Sequence, residues 1–278
     1  ARILAIKVRL EQRPFPGMNA PRKPWKCIDK RVKRRMDKNK EIEEILEVFS
    51  DKKESPHLSS YLGIRRYQKL ADQIKKILGT GKVLDWGAGY GQMSYLLKNR
   101  GFDVVSYEIT PNERPLLEKV GQPTIMGTDP VKLPFPDASF DAVLSSGVLE
   151  HVQDDKASIS EIARILKTNG YFIIFMLPNK YSYIEYISDR LGRGDHPIKY
   201  SVGDVHRLLK EKGFTPFTFA YQNFLPYNLK GFPKIVQRAY HKLDRLIELL
   251  DPVLTQLPLI RNISTNLMII AQKERAIS

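Results

Sequence analysis

The segment Val83-Leu84-Asp85-Trp86-Gly87-Ala88-Gly89-Tyr90-Gly91 passes from an apolar strand, through an acid, into alternating glycines, and the residues beyond it read as a helix to about Arg100. Glycines let the backbone turn tightly and approach a ligand closely. The carboxyl end of a strand is where doubly wound sheets bind ligands. Two familiar phosphate loops are excluded. No Lys-Ser/Thr pair follows the glycines, as a P-loop requires, and the third glycine of the dinucleotide fingerprint is replaced by Gln92. Asp85, just ahead of the first glycine, would repel a pyrophosphate.

Upstream, apolar residues at Ile42, Ile45, Leu46 and Phe49 have helical spacing. Asp51 to Ser60 is polar, contains Pro56 and reads as a loop. A second amphipathic stretch, Ile64 to Leu78, closes at Gly79-Thr80-Gly81 with lysines in its last turn. Downstream, strand-like segments at Val104–Ile109, Pro123–Met126, Phe140–Leu144 and Tyr171–Leu177 are interleaved with helical periodicity, notably Ser158–Leu166, which stops at Asn169-Gly170. Val202–Glu211 then reads as a helix, Phe214–Ala220 as a strand and Leu267–Ala271 as the last strand. Strands alternating with helices predict an α/β fold with a parallel, doubly wound sheet. Residues 223–263, rich in aromatics, prolines and leucines, break that rhythm with a helix expected over Pro233–Leu250. An excursion this long inside a compact fold is commonly functional.

Further motifs follow the glycine loop in order: Glu108 ending the second strand, Gly127-Thr128-Asp129 after the third, and Leu133-Pro134-Phe135-Pro136-Asp137-Ala138-Ser139-Phe140-Asp141 leading into the fourth. Val148-Leu149-Glu150-His151-Val152 and Leu166-Lys167-x-x-Gly170 come next. With these motifs the chain resembles the class I S-adenosylmethionine-dependent methyltransferases, in their small-molecule, type 11 branch, over about residues 60–220 and Leu267–Lys273. The resemblance implies a Rossmann-like seven-stranded sheet of order 3-2-1-4-5-7-6 with an antiparallel last strand. Here that sheet would carry an N-terminal helical extension and an insert before the last strand. It implies S-adenosyl-L-methionine as cofactor, with Asp85, Gly87, Gly89 and Gly91 as the acid and glycine loop, Glu108 on the ribose hydroxyls and Asp129 at the adenine amino group. Ala88, Ile109, Thr128 and Ser145 complete the implied cofactor set. No metal is expected.

The chemistry suits these residue types. Ribose hydroxyls donate hydrogen bonds, and a buried carboxylate such as Glu108 is a strong acceptor. Asp85 can hold the amino end of the cofactor, directly or through the loop and water. The remaining task is in-line positioning of the acceptor, which contributes ~7 kcal/mol or more to such reactions. A general base is needed only where the acceptor proton has a high pKa. His151 is the candidate base, since histidine titrates near neutrality; the alternative is that it shapes its loop. Asp195, His196 and Tyr200 lie in the segment after the fifth strand that reads as a linker, where acceptor pockets of the resembled family gain residues or where polar loops are simply solvated. Arg65 and Tyr67 are candidates for the cofactor carboxylate, or structural residues of a polar helix face. The five histidines (57, 151, 196, 206 and 241) show no metal spacing, and Cys27 is the single cysteine. Leu177-Pro178-Asn179 differs from the Asn-Pro-Pro-Tyr type of nucleobase-modifying enzymes and lies after strand five, which weakens a base-modifying role.

The chain has 278 residues and a net charge of +14, with 42% hydrophobic and 27% charged residues, which excludes wholesale disorder. Residues 1–40 hold 14 Lys/Arg and 3 Asp/Glu against 31 and 28 in the rest, so the charge belongs to an N-terminal arm. Three readings of the arm stand: a binder of RNA phosphates or anionic lipid, a solvated disordered tail, or a segment foreign to the natural chain, as Ala1 begins it and Met18 and Met36 are workable starts. Residues 41–278 form the expected methyltransferase domain, with 223–263 as insert or lid. A lone cysteine and apolar runs of about six residues, against the ~20 a membrane span needs, predict a soluble protein of the cytoplasm. Phe224, Leu225, Tyr227, Phe232 and Pro233 point to a small or lipid-like acceptor, with peripheral membrane contact through 223–263. An extra core-packing helix is the alternative for that segment. The alternatives for the whole are an RNA methyltransferase gripping phosphates through the arm and a non-catalytic cofactor-binding partner subunit.

Overall fold

Strand β1 (Lys82–Trp86) is buried along its apolar length, and its side chains alternate between two cores, Val83 to one and Leu84 and Trp86 to the other. That alternation, with apolar residues on both sides, suits a central strand covered on both faces. The computed structural model describes residues 30–49 and 57–274, apart from 112, 130, 193, 195, 228, 230 and 231. The strands are β1, β2 (Asp103–Glu108), β3 (Thr124–Met126), β4 (Phe140–Ser146), β5 (Leu166–Pro178), β6 (Phe214–Gln222) and β7 (Asn266–Lys273). They form one seven-stranded sheet of order β3-β2-β1-β4-β5-β7-β6, the order expected. Only β7 runs antiparallel to its neighbours β5 and β6.

Helices α1 (Lys30–Phe49), α2 (Tyr61–Leu78) and α3 (Gln92–Lys98) cover one face through Ile45, Phe49, Ile64, Ile74 and Leu96. The opposite face is covered by α5 (Asp155–Ile165) and α7 (Val202–Glu211) through Ile159, Ile162, Val205 and Leu209. Short helices α4 (Pro115–Lys119) and α6 (Tyr183–Arg190) complete the crossovers. Local signals set the helix ends. Ser60 accepts from the Gly63 N–H at the start of α2, Gly79 closes it at φ 68°, and Ser201 and Asp204 form a capping box on α7.

The chain divides into two units, residues 1–37 and Lys38–Ser278. The basic arm up to residue 29 and the expected loop over 50–56 lie outside the described residues. Within the second unit, Arg100 joins three helices, its Nε 2.9 Å from Asp72 Oδ1 and its Nη1 3.1 Å from Glu41 Oε1. Lys38 also pairs with Asp72.

Three expectations need correction. The insert helix expected over Pro233–Leu250 is broken into α8 (Lys234–His241) and α9 (Asp244–Leu254), with α10 (Pro258–Arg261) after them. Its apolar periodicity carries no signal for the break at Lys242-Leu243, where the chain turns so that Ile247 is buried and Glu248 reaches Arg65. The stop at Asn169-Gly170 is a bulge inside β5 rather than a boundary. Pairing with β4 jumps from Phe140↔Leu166 to Ala142↔Tyr171, and Asn169 has φ 62°. The segment after β5, read as linker, contains α6, capped by Ser182.

Asp85 is the buried charge of this core. Its Oδ2 accepts from the Ser94 N–H at 3.0 Å and the Ser94 hydroxyl at 2.6 Å, and Ser94 Oγ lies 2.7 Å from Ser106 Oγ, so β1, α3 and β2 are tied together. Burial pushes the Asp85 carboxyl up to about 6 despite those bonds. A carboxyl raised in the fold supports stability fully below its unfolded pKa near 3.8, and that support is lost as pH rises through about 6. The expected outcome is that Asp85→Asn gains on wild type by about 3 kcal/mol between about pH 4 and pH 7. Urea unfolding of both proteins across that range measures it; a gap independent of pH contradicts the raised carboxyl.

Candidate active site

A cavity of about 640 Å³ opens at the carboxyl ends of β1, β2 and β4, where Trp86, Gly87, Glu108, Ile109, Ser146 and Gly147 line it. Tyr67 of α2, Met176 of β5, Tyr227 of the insert and Asn266 of β7 line other parts. The loop is fastened to the second strand: the N–H groups of Gly87 and Ala88 both donate to the Tyr107 carbonyl, at 2.9 and 3.0 Å. Gly89 has φ 54° and lines the cavity, and a Cβ there would meet nothing within 4 Å. Its N–H donates to Glu108 Oε2 at 2.8 Å, while Glu108 Oε1 accepts from Ile109 and Thr110 at 2.8 and 2.9 Å. A carboxylate has about four lone-pair positions. Three are filled by the backbone, which aims the group and leaves an acceptor position for a hydroxyl.

Of the residues expected at the cofactor, Gly87, Gly89, Glu108 and Ile109 share this wall, and His151 lies on it too. Asp85 and Ala88 are buried behind the wall. Gly91, at φ 82°, caps α3, and a Cβ there would fall 2.4 Å from Leu117 Cγ, so its service is to packing. Thr128 and Asp129 are exposed and off the wall. Asp129 accepts from the Val131 and Lys132 N–H groups, which hold its carboxyl below the usual range, and its own carbonyl accepts from the Tyr107 hydroxyl at 2.6 Å. Ser145 is buried, and its neighbour Ser146 reaches the cavity.

The far end is ionisable. After β4 a 3-10 turn, Leu149–His151, places Glu150 at 1% exposure, and burial pushes its carboxyl up to about 7. The His151 and His196 rings lie 5.8 Å apart, and His196 Nδ1 is 3.0 Å from Glu185 Oε2. Glu185 belongs to α6, whose N-cap Ser182 accepts from the Glu185 N–H. A Ser-x-x-Glu pattern marks a helix start, the signal that would have located this carboxylate. Tyr67 lines the same cavity with its hydroxyl 3.2 Å from Met176 Sδ, at a second bulge of β5 where Met176 takes φ 61°. Arg65 instead binds Glu248 at 3.0 Å and lines a separate cavity of about 820 Å³ beside α9. Tyr200 is buried, with its hydroxyl 3.0 Å from Asp155. Asp195 lies outside the described residues.

Glycine loop, carboxylate and open cradle fit a nucleoside ligand with ribose hydroxyls. Trp86, Tyr90 and Tyr107 add aromatic surface that the sequence presents as strand and loop filling.

A profile described as a methyltransferase domain matches residues 84–174. The sarcosine/dimethylglycine N-methyltransferase of Aphanothece halophytica is 31% identical over 121 residues, 40% of this chain but only 43% of that enzyme, so the match spans less than half of its length. An uncharacterised protein of Methanocaldococcus jannaschii is 34% identical over 178 residues, 62% of this chain and 68% of that protein. The crystal structure of the 1,6-didemethyltoxoflavin-N1-methyltransferase of Burkholderia thailandensis, with bound 1,6-didemethyltoxoflavin and S-adenosylhomocysteine, aligns over 93% of this chain and 94% of that one. Its TM-score is 0.52 at 16% identity, a likeness of fold. Strand order, glycine loop and relatives agree, and the chain belongs to the class I S-adenosylmethionine-dependent methyltransferases.

Proposed function

We propose that this protein transfers a methyl group from S-adenosylmethionine to a small apolar or amphipathic acceptor taken from a lipid surface. The observation that carries the transfer is the cradle at Gly89, fixed by its bond to Glu108 and open towards the cavity. Gly87, Gly89, Glu108 and Ile109 would hold the nucleoside. The sulfonium supplies an electrophilic methyl when the cofactor is bound, so the chain's own work is to position the acceptor and exclude water.

The acceptor class is supported by the insert. Helices α8 and α10 bury no residue. Ile235 is 77% exposed, Leu249 71% and Leu259 87%, and Phe232, Leu246 and Val253 are exposed beside them. Lys234, Arg238, Lys242, Arg245 and Arg261 lie along the same segment. Apolar side chains beside lysines and arginines are the composition of an interfacial helix, each cation adding roughly 1 kcal/mol near an anionic leaflet. No described helix is long and apolar enough to cross a membrane, so contact would lie along the surface. The insert also supplies Pro226 and Tyr227 to the cavity wall, which links that surface to the site.

Two outcomes are expected. Titration calorimetry of S-adenosylmethionine into wild type gives micromolar binding, and Glu108→Ala weakens it by about tenfold or more, the loss of one or two charge-assisted hydrogen bonds. No binding to folded wild type removes the methyl-transfer reading. Cosedimentation with vesicles containing phosphatidylglycerol retains wild type and loses Ile235→Asp/Leu259→Asp, whose cofactor affinity stays unchanged. Equal vesicle binding by both proteins removes the lipid-surface reading.

A further inference from the structure

We infer that Glu150, His151 and His196 form a binding site for a divalent transition-metal ion at the acceptor end of the cavity. The ion's bearing on catalysis rests on the methyl-transfer reading above; its binding does not. Each of the three residues offers one ligand atom, and these atoms lie within 4.8 Å of one another. Zinc or ferrous ligation at roughly 2.0–2.2 Å sets ligand atoms about 3–3.5 Å apart, so a small rotation of the exposed His151 side chain closes the set. Residues from the turn after β4 and from the segment after α6 meet here, and this is why ligand spacing along the chain is silent.

Two features of the surroundings point to a cation. Both carboxylate oxygens of Glu150 are sealed from solvent, and neither accepts a hydrogen bond from another residue. A buried acceptor left in this state costs free energy, and a metal ion facing it from the cavity would satisfy it. His196 is already oriented. Glu185, 6% exposed and anchored in the first turn of α6, sits 3.0 Å from His196 Nδ1. With the proton on Nδ1 and shared with Glu185, Nε2 carries its lone pair outward, the carboxylate–histidine–metal arrangement that outer-shell carboxylates provide. Lys199 Nζ lies 3.8 Å from the same Glu185 oxygen and 2.5 Å from Asp189, on the flank of the pair.

The donor set selects the ion. Two imidazoles and one carboxylate suit zinc, ferrous iron, cobalt or nickel, whereas magnesium and calcium want oxygen ligands alone. Three protein ligands leave coordination positions open, the mark of a site that takes a substrate atom and not of a closed structural site. All three residues line the cavity, so the open positions face the acceptor. The site would therefore favour acceptors that carry a ligating oxygen or nitrogen, such as a phenol, a hydroxyquinone or a carboxylate on an otherwise apolar body.

The test uses the full chain freed of metal by chelation, with zinc chloride, cobalt chloride and magnesium chloride as probes. Calorimetry should give one equivalent of zinc or cobalt bound at micromolar affinity or tighter and no comparable magnesium binding. Bound cobalt should develop visible d–d absorption. His196→Ala and Glu150→Gln should each weaken zinc at least tenfold, and Glu185→Gln about ten- to a hundredfold, while His206→Ala leaves it unchanged. Circular dichroism and S-adenosylmethionine affinity on the same samples report folding. If Glu150→Gln does not fold, the exposed-side variant His151→Ala carries the test. Cofactor binding without zinc binding overturns the metal site and leaves the methyl-transfer reading standing; zinc binding without cofactor binding does the reverse. Zinc affinity that survives both His196→Ala and Glu150→Gln also overturns the site.

Discussion

The site depends on how the glycine loop is fastened to the second strand. Loop backbone is costly to hold in one place, because every ordered residue loses conformational entropy. Here the N–H groups of Gly87 and Ala88 converge on the Tyr107 carbonyl, and the Gly89 N–H reaches the Glu108 carboxylate one residue further on. The loop is therefore tied to β2, and β2 is paired with β1 on one side and β3 on the other. The bonds that fix the loop also orient Glu108, so the scaffold and the carboxylate on the cavity wall are one construction.

The second tier of support is polar and lies out of sight of the cavity. Asp85 with Ser94 and Ser106 binds the strand before the loop to the helix after it. A buried carboxylate costs free energy where its oxygens lack donors, and Ser94 supplies Asp85 Oδ2 with a backbone and a side-chain donor at once. Glu150 shows the opposite condition in the same protein: equal burial and no donor. Two carboxyls raised by burial thus have different surroundings, one closed into the framework and one facing the cavity.

Elements whose signal is local were legible in the sequence. The glycine loop, the acid at the end of β2 and the alternation of strands and helices are patterns of a few adjacent residues, and they led to the observed strand order and to Gly87, Gly89, Glu108 and Ile109 on the wall. What escaped depends on tertiary contact. Arg65 lies on a suitable helix, yet its guanidinium is drawn to Glu248, distant in sequence. The kink at Lys242-Leu243 has no glycine or proline to announce it. Glu185 was concealed in a segment read as linker, though Ser182 three residues ahead carried the capping signal. The company of Glu150, His151 and His196 appears only when the turn after β4 and the segment after α6 are brought together.

The insert shows why one long amphipathic helix would not have served. Helix α9 is fastened to α2 by Glu248, which takes Arg65 and Lys69, and to the start of the insert by Asp251, which accepts from the Leu225 N–H at 2.7 Å. Arg66 extends the clamp, its guanidinium 4.7 Å from the Tyr227 ring centre and its Nη2 on the Leu225 carbonyl. Those contacts use one side of the segment. By breaking at Lys242-Leu243, the chain keeps α9 anchored while α8 leaves it and buries nothing of its own. A straight helix would have tied the apolar residues of both halves to one direction. Tyr227 is both part of the clamp and part of the cavity wall, so the contact that anchors the start of the insert also shapes the site.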